Sequence, residues 1–201
     1  MRSIIDSTFF EILDMTWPTL LIAVVLVVTI RVGYLLKHRE QFVFYKEILY
    51  LCFMLYILCL FQLVTAKDLN ATDGNNFRLF REIFRYQFGS RLFFRNIVGN
   101  VLMFIPYGFF ASFYVELKKP LKAFILIFVA SLSIEITQLA IGRVFDVDDI
   151  LLNVIGGMLG FTIYYILGKI CDKFPVLKKE IFINIITILI FIIVITFIFW
   201  R

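Results

Sequence analysis

The sequence predicts an all-α fold: a polytopic membrane bundle of about six transmembrane helices, with an amphipathic interfacial segment in its long second loop. Composition is the first observation behind this prediction, because 62% of the 201 residues are apolar and only 17% carry charge. A soluble domain is nearer half apolar and a quarter charged. Spacing is the second, because the apolar residues gather into six segments of about the 20 residues that cross a bilayer as one helix.

Each apolar segment is expected to be helical, because backbone groups in lipid have no water to bond. Pro106 and Gly108 interrupt the third segment and are expected to bend its helix. We divide the chain into two N-terminal transmembrane helices (residues 1–66), a core of the long loop and three helices (67–170), and a basic loop with the last helix (171–201). The six segments are residues 17–36, 48–66, 97–115, 121–141, 150–168 and 181–200.

Lysine and arginine are unevenly divided between the two sides of the predicted bundle. The loops after the first, third and fifth helices carry eleven of them, while the other side carries nine, six of which lie in the long second loop. Short basic loops tend to remain in the cytoplasm. We therefore expect a multi-pass protein of the cell membrane with both termini outside the cell.

The long second loop contains an aromatic and basic segment. Phe77, Phe80, Phe84 and Phe88 recur at helical spacing, with arginines between them. Such a segment tends to lie in the membrane interface, with its rings towards the acyl chains and its basic face among the phosphates. It acts either as an anchor alone or as a surface that binds an anionic lipid headgroup or polymer.

Polar side chains of the third, fourth and fifth helices are expected to meet at the outer side of the membrane. Ionisable groups at membrane depth are costly, and so they commonly mark functional sites. Asp148 or Asp149 is expected to cap the fifth helix, and the spacing of Gly156 and Gly160 favours a close neighbouring helix. The candidate binding residues are Asn96, Asn100, Glu135, Gln138, Arg143, Asp146, Asp149 and Asn153, and Ser131 shares the helix face of Glu135.

Three interpretations of this polar group stay open. In a structural one, Asn153 and Gln138 bond between helices and Glu135 pairs with Arg143. In a binding one, the group holds a polar headgroup. In a catalytic one, the acids act in acid–base chemistry or hold a divalent cation, with Arg143 on a phosphate, although neither H-E-x-x-H nor G-x-S-x-G occurs. The candidate catalytic acids are Glu135, Asp146, Asp148 and Asp149.

Composition also limits the partners. The net charge of +5 belongs to the loops of a membrane protein rather than to a basic soluble domain, so no nucleic-acid partner is expected. The three cysteines lack C-x-x-C spacing, and we assign no metal site and no cofactor. Membrane lipids are the expected partners.

Three stretches of the chain resemble the signatures of the VanZ-like family. They are residues 96–109, residues 134–138 followed by Arg143, and residues 146–157, and they occur in the family's order and spacing. A weaker likeness covers residues 76–80, where the family often has a proline and this chain has Leu79. The family's namesake is associated with low-level resistance to teicoplanin, a lipid-tailed glycopeptide antibiotic, in Gram-positive bacteria.

The resemblance implies a protein of the bacterial cell envelope. We expect it to contribute to resistance by binding a lipid or cell-wall precursor headgroup at the outward-facing polar group, with a lipid-linked precursor or the lipoglycopeptide as partner. One alternative is a membrane-embedded enzyme that acts on a lipid-linked substrate through the acidic residues. Another is a transporter, although the two halves of the chain show no inverted repeat.

Overall fold

The computed structural model describes residues 2–39, 42–65, 74–185 and 187–189. These residues confirm the all-α fold class, since no strand occurs among them and one isolated bridge joins Asn76 to Asp146. The helices are α1 (Arg2–His38), α2 (Phe44–Thr65), α3 (Arg81–Arg85), α4 (Arg91–Phe93), α5 (Gly99–Val115), α6 (Pro120–Ala140) and α7 (Val147–Lys173), with a π-helical segment at Phe94–Val98 and a 3₁₀ turn at Pro175–Lys178.

Within the described residues, five helices are long and apolar enough to cross a membrane, which confirms a multi-pass membrane protein. The sixth predicted segment, residues 181–200, lies mostly outside the described residues. Its described part is helical at 181–185 and 187–189. The candidate spans are Leu21–His38, Phe44–Gln62, Arg91–Val115, Pro120–Ala140 and Val147–Lys173.

The helices extend beyond the apolar segments that predicted them. The first begins at Arg2, well before the apolar run at residue 17, and α7 continues to Lys173 where residue 168 was expected. Hydropathy marks the part of a helix that suits lipid, whereas backbone hydrogen bonding continues into polar sequence until a cap or a breaker ends it. The predicted segments therefore locate the membrane spans better than the helix ends.

The chain forms two compact units, residues 1–59 with 169–201, and residues 60–168. In the first unit the guanidinium of Arg31 donates to both carboxylate oxygens of Glu47, at 2.8 and 3.0 Å. It also lies over the rings of Tyr34 and Tyr50. A two-pronged pair of this kind joins α1 to α2 more specifically than a single contact can.

The second unit has a core between α5, α6 and α7. Phe104, Ile127 and Phe161, one from each helix, are almost completely buried in it. All of the candidate site residues belong to this unit, at the end where α5 and α7 begin and α6 ends. The core therefore fixes the three helix ends that carry them.

Glycines bring α5 and α7 into backbone contact. A Cβ atom at Gly108 would lie 1.9 Å from the carbonyl oxygen of Gly157, and one at Gly156 would lie 2.1 Å from that of Val101. Gly160 approaches the α5 backbone as closely one turn further along. The close approach predicted from Gly156 and Gly160 is confirmed, and any larger residue there would separate the helices.

The aromatic loop segment is less helical than its spacing predicted. Its only helices in residues 74–98 are α3, α4 and the π-helical segment. Phe80 adopts a left-handed conformation with φ of 67°, as does Gly89 with φ of 79°, and both interrupt a continuous helix. The first interruption follows from contacts that hold the backbone of this segment, described below.

Candidate functional site

Asp148 holds the long loop against the start of α7. Its carboxylate is completely buried and accepts hydrogen bonds from the backbone N–H groups of Phe80 at 2.5 Å, Glu82 at 2.8 Å and Ile83 at 3.4 Å. The first N–H groups of a helix have no partner within it, and Phe80 supplies no side-chain cap to α3. Asp148 therefore caps α3 from a distant part of the chain.

Asp146 caps α7. Its Oδ1 accepts from the backbone N–H of Asp148 at 2.8 Å, which is the bond expected of the residue just before a helix. The prediction that Asp148 or Asp149 caps this helix is wrong, because α7 begins at Val147 and both acids lie within its first turn. Oδ1 of Asp146 also accepts from Nδ2 of Asn76 at 2.8 Å.

Asn76, which the sequence interpretation did not select, joins the loop to the turn before α7. It is 2% exposed. Its backbone N–H donates to the carbonyl oxygen of Phe145 at 2.8 Å, and its own carbonyl oxygen accepts from Val147 at 3.1 Å. The weaker family likeness that begins at Asn76 was the available signal for it. We call Asn76, Asp146 and Asp148 the loop anchor.

Glu135 and Gln138 of α6 meet the same turn from the other side. Glu135 is 2% exposed, and its Oε2 accepts from the backbone N–H of Asp146 at 3.1 Å. The Gln138 amide is oriented by its hydrogen-bond network. Its Nε2 donates to Oε1 of Glu135 at 2.8 Å, and its own Oε1 accepts from Nη1 of Arg143 at 3.2 Å. Gln138 thus bonds to both the acid and the arginine that the structural interpretation pairs.

Asp149 faces α5. Its Oδ1 accepts from Nδ2 of Asn100 at 2.5 Å. Glu135 and Arg143 both lie within electrostatic reach of it. Asp149 is less completely buried than Asp148 beside it, so the loop encloses one acid of this pair more fully than the other.

Asn96 bonds differently from Asn100. Its side chain is hydrogen-bonded to the hydroxyl of Tyr86, a loop residue that the sequence interpretation did not select. Asn96 lies in the π-helical segment Phe94–Val98, directly before α5. Because a π-helical turn is wider than an α-helical one, the four-residue spacing from Asn96 to Asn100 does not give both side chains the same partner.

One turn deeper, Asn153 of α7 meets Ser131 of α6. Nδ2 of Asn153 donates to the Ser131 hydroxyl at 3.1 Å, and both residues are at most 2% exposed. Oδ1 of Asn153 is buried without a hydrogen-bond partner. Such an unsatisfied acceptor is uncommon in native proteins, since it costs about 1–3 kcal/mol.

The polar residues of α5, α6, α7 and the intervening turn form a second group beside the loop anchor, which we call the interhelical cluster. It joins α5, α6, α7 and the turn between α6 and α7. Seven of the candidate binding residues thus meet at one end of this unit, because Asp146 of the anchor also contacts the cluster through Glu135. The cluster consists of Asn100, Ser131, Glu135, Gln138, Arg143, Asp149 and Asn153.

Burial alters the ionisation of two groups outside the membrane spans. It raises the pKa of the Asp146 carboxyl above its ordinary value of 3.8, against the opposing effect of the hydrogen bonds from Asp148 and Asn76. The charges of Asp148 and Glu82 add to the rise. Burial likewise raises the pKa of the Tyr86 hydroxyl, which the hydrogen bond with Asn96 opposes. Both shifts favour the neutral form of the group.

The four candidate catalytic acids divide between the two groups. Asp146 and Asp148 hold the loop and the start of α7, whereas Glu135 and Asp149 belong to the interhelical cluster. Within the described residues, no three His, Cys, Asp or Glu side chains are arranged to hold a metal ion. What the cluster offers to a ligand is hydrogen-bond acceptors: two carboxylates and the open carbonyl oxygen of Asn153.

Comparison with known proteins identifies relatives of this chain. The model of the VanZ/LLP1 family matches residues 44–168, which is more than half of the chain. Protein VanZ from Enterococcus faecium is 33% identical over 94 residues, which cover 46% of this chain and 58% of that protein. The chain therefore spans well under two thirds of that curated relative. No solved structure matches the chain.

Proposed function

This chain belongs to the VanZ/LLP1 family, and from that premise we propose that it binds the polar headgroup of a lipid or of a lipid-linked cell-wall precursor at the interhelical cluster. Through this binding it contributes to resistance to teicoplanin-type glycopeptides. A lipid-tailed antibiotic and its membrane-bound target meet at the membrane surface. A protein that holds either headgroup there lowers the number of antibiotic molecules bound to their target.

The observation that carries the proposal is the open carbonyl oxygen of Asn153 beneath two carboxylates. Packing between helices needs only satisfied polar groups, whereas this acceptor is buried without a donor. A ligand that supplies the missing donor recovers the cost of about 1–3 kcal/mol. Asp149, one turn above, is the less buried member of the same helix face.

The ligand chemistry that fits is a group rich in hydrogen-bond donors, such as a sugar hydroxyl or an amine. The carboxyl oxygens of Glu135 and Asp149 accept hydrogen bonds from such donors. Arg143, the cation of the cluster, donates to Gln138.

The proposal also requires the cluster to face outside. The loops after the first, third and fifth apolar segments carry eleven basic residues. They support that orientation, in which both termini lie outside the cell. A reporter that is active only in the cytoplasm, fused to the C-terminus, is expected to be inactive. An active fusion would reverse the orientation and remove the cluster from the outer surface.

Co-purifying lipids test the binding directly. The full chain is purified in mild detergent and its bound lipids are identified by mass spectrometry. Asn153→Leu and Ser131→Ala are expected to reduce the bound species about tenfold, which corresponds to one hydrogen bond of about 1.4 kcal/mol. Ser133→Ala on the exposed face of the same helix is the matched control. Equal recovery from all variants would assign the cluster to packing alone.

Antibiotic binding to cells tests the wider role. Expression in a susceptible strain is expected to reduce the labelled teicoplanin that the cells retain, and Asn153→Leu to restore it. Unchanged retention on expression would contradict the role in resistance. Glu135→Gln and Asp149→Asn test the enzymatic alternative, because acid–base catalysis requires the ionisable groups. Full resistance in both variants would remove that alternative and would also contradict headgroup binding by these two acids.

A further inference from the structure

The long loop presents a continuous set of exposed rings. Phe77 is 72% exposed, Phe84 83% and Phe88 88%, and Leu79 and Leu92 are more than half exposed. Apolar surface of this extent beside a membrane span marks a contact with a membrane or a partner. We call the exposed side chains of residues 77–95 the loop surface.

The loop surface is also strongly basic. It carries five exposed arginines against one acid, Glu82, which pairs with Arg85 at 3.2 Å. The remaining arginines leave a net positive charge distributed among the rings. Arginine forms two-pronged hydrogen bonds with phosphate and keeps its charge when partly dehydrated. The five arginines are Arg78, Arg81, Arg85, Arg91 and Arg95.

The loop anchor fixes the position of this surface. Asp148 binds the backbone of Phe80, Glu82 and Ile83, and Arg91 begins the helical stretch that continues into a membrane span. The loop surface is therefore held at the end of a membrane-spanning helix, at the depth of the lipid headgroups.

We propose that the loop surface binds anionic phospholipid, with its rings between the headgroups and its arginines on the phosphates. Rings and arginines together fit a membrane interface, where each finds its preferred surroundings. An anionic polymer in water would satisfy the arginines and leave the rings exposed. This binding goes beyond the headgroup site of the interhelical cluster, since it uses other residues and the opposite charge.

A tryptophan at position 84 reports on the contact. The full chain, with its two native tryptophans replaced by phenylalanine and carrying Phe84→Trp, is reconstituted into vesicles of phosphatidylcholine and phosphatidylglycerol. Either lipid is brominated near the headgroup in separate preparations. Brominated phosphatidylglycerol is expected to quench the emission about threefold more effectively, which is less than the about fivefold that one arginine contributes at a charged surface. Phe88→Trp serves as a second reporter site.

Paired charge variants attribute the preference to the arginines. Arg78→Gln with Arg81→Gln is expected to reduce the preference for the anionic lipid, because three of the five arginines remain. Salt at 0.5 M is expected to bring the two lipids close to equal quenching, because the Debye length there lies between about 3 and 8 Å and surface attraction is screened. Lys118→Gln with Lys119→Gln, two exposed lysines after α5, is the matched control and is expected to change nothing. The headgroup site has its own variants, so the failure of one proposal leaves the other standing.

Three outcomes would overturn the proposal. Equal quenching by both lipids in the unaltered loop would show an interfacial segment without lipid preference. No quenching by either lipid from both reporter positions would show that the loop does not reach the membrane. An emission shift caused by a tail-free polyglycerol phosphate, without preference for the brominated anionic lipid, would assign the surface to a polymer.

Discussion

The loop anchor and the interhelical cluster lie side by side, yet they bond in different ways. Asp148 of the anchor is completely buried and receives three backbone N–H groups. Asp149, the next residue, is half-buried and receives one side-chain amide from Asn100. Two neighbouring acids in one helical turn thus belong to different kinds of site.

The two groups differ in whether a ligand can replace their hydrogen-bond partners. The backbone N–H groups that Asp148 binds lie at the start of a helix and have no partner within it, so the anchor contributes to folding and holds the loop in one conformation. A side-chain amide can turn from one acceptor to another, and the buried Oδ1 of Asn153 has no donor. The anchor is therefore expected to determine stability, and the cluster ligand binding.

The largest expected effect comes from Asp148→Ala. Three N–H groups of the loop lose their acceptor, at about 1–3 kcal/mol for each one that water does not reach, so we expect a loss of about 3 kcal/mol or more in the free energy of unfolding. Thermal unfolding in detergent measures it, and limited proteolysis within residues 74–95 reports release of the loop. Asp149→Ala is the matched control. Equal destabilisation by the two substitutions would remove the distinction between anchor and cluster.

Asn76→Ala tests the anchor from the loop side. It removes the amide that donates to Asp146 and the oxygen that accepts from Arg78, while both backbone bonds at this position remain. We expect a loss of about 2 kcal/mol in the free energy of unfolding, measured as for Asp148. The exposed neighbour Asn75 accepts one hydrogen bond, from the backbone N–H of Phe145 to its Oδ1. Asn75→Ala is therefore expected to lower the free energy of unfolding by less. The reverse order would locate the loop attachment elsewhere.

Much of the fold follows from the sequence, because lipid allows a long apolar segment few alternatives to a helix. The glycine contact of α5 and α7 was likewise predictable from Gly156 and Gly160. The loop was not, since the helical spacing of Phe77, Phe80 and Phe84 does not correspond to a continuous helix. A carboxylate from α7, more than 60 residues away in the chain, binds its backbone instead.

The members of the site were more predictable than their roles. Burying polar and ionisable groups is costly, so Glu135, Asp148 and Asn153 were conspicuous in an apolar sequence. Asp148 was nevertheless assigned to the wrong helix, because a sequence reveals a capping residue only when it stands next to the helix that it caps. Asn76 and Tyr86 were missed for a related reason: their partners are set by tertiary contacts that no local spacing encodes.

A smaller effect on stability is expected from Asp149→Asn. The amide replaces a half-buried carboxylate of similar shape and still accepts from Asn100, so we expect a change of about 1 kcal/mol or less in the free energy of unfolding. Bound headgroup species are expected to fall about tenfold in the same preparation. A stable variant that binds less would sharpen the comparison with Asp148. Loss of both properties together would make Asp149 part of the anchor.

The smallest effect concerns pH and Asp146. Its pKa is raised in the folded protein, above the ordinary value of 3.8, mainly by burial, so the folded state binds the proton more tightly than the unfolded state. The contribution of this group is therefore fully present below 3.8 and is lost as the pH rises through the raised pKa. Measured in detergent, the unfolding temperature of the wild type is expected to fall over that window.

Asp146→Asn separates this contribution from those of the surrounding acids. The amide keeps an oxygen for the bonds from Asn76 and Asp148 but does not titrate, so the fall is expected to become shallower while the low-pH stability is nearly unchanged. Asp146 interacts electrostatically with Asp148, Asp149, Glu82 and Glu135, so the difference between the two proteins measures Asp146 together with its coupling to these acids. An identical pH profile in the variant would mean that Asp146 is charged in the anchor at no cost. In that case the hydrogen bonds from Asn76 and Asp148 outweigh burial, and the anchor would be as insensitive to pH as its backbone partners.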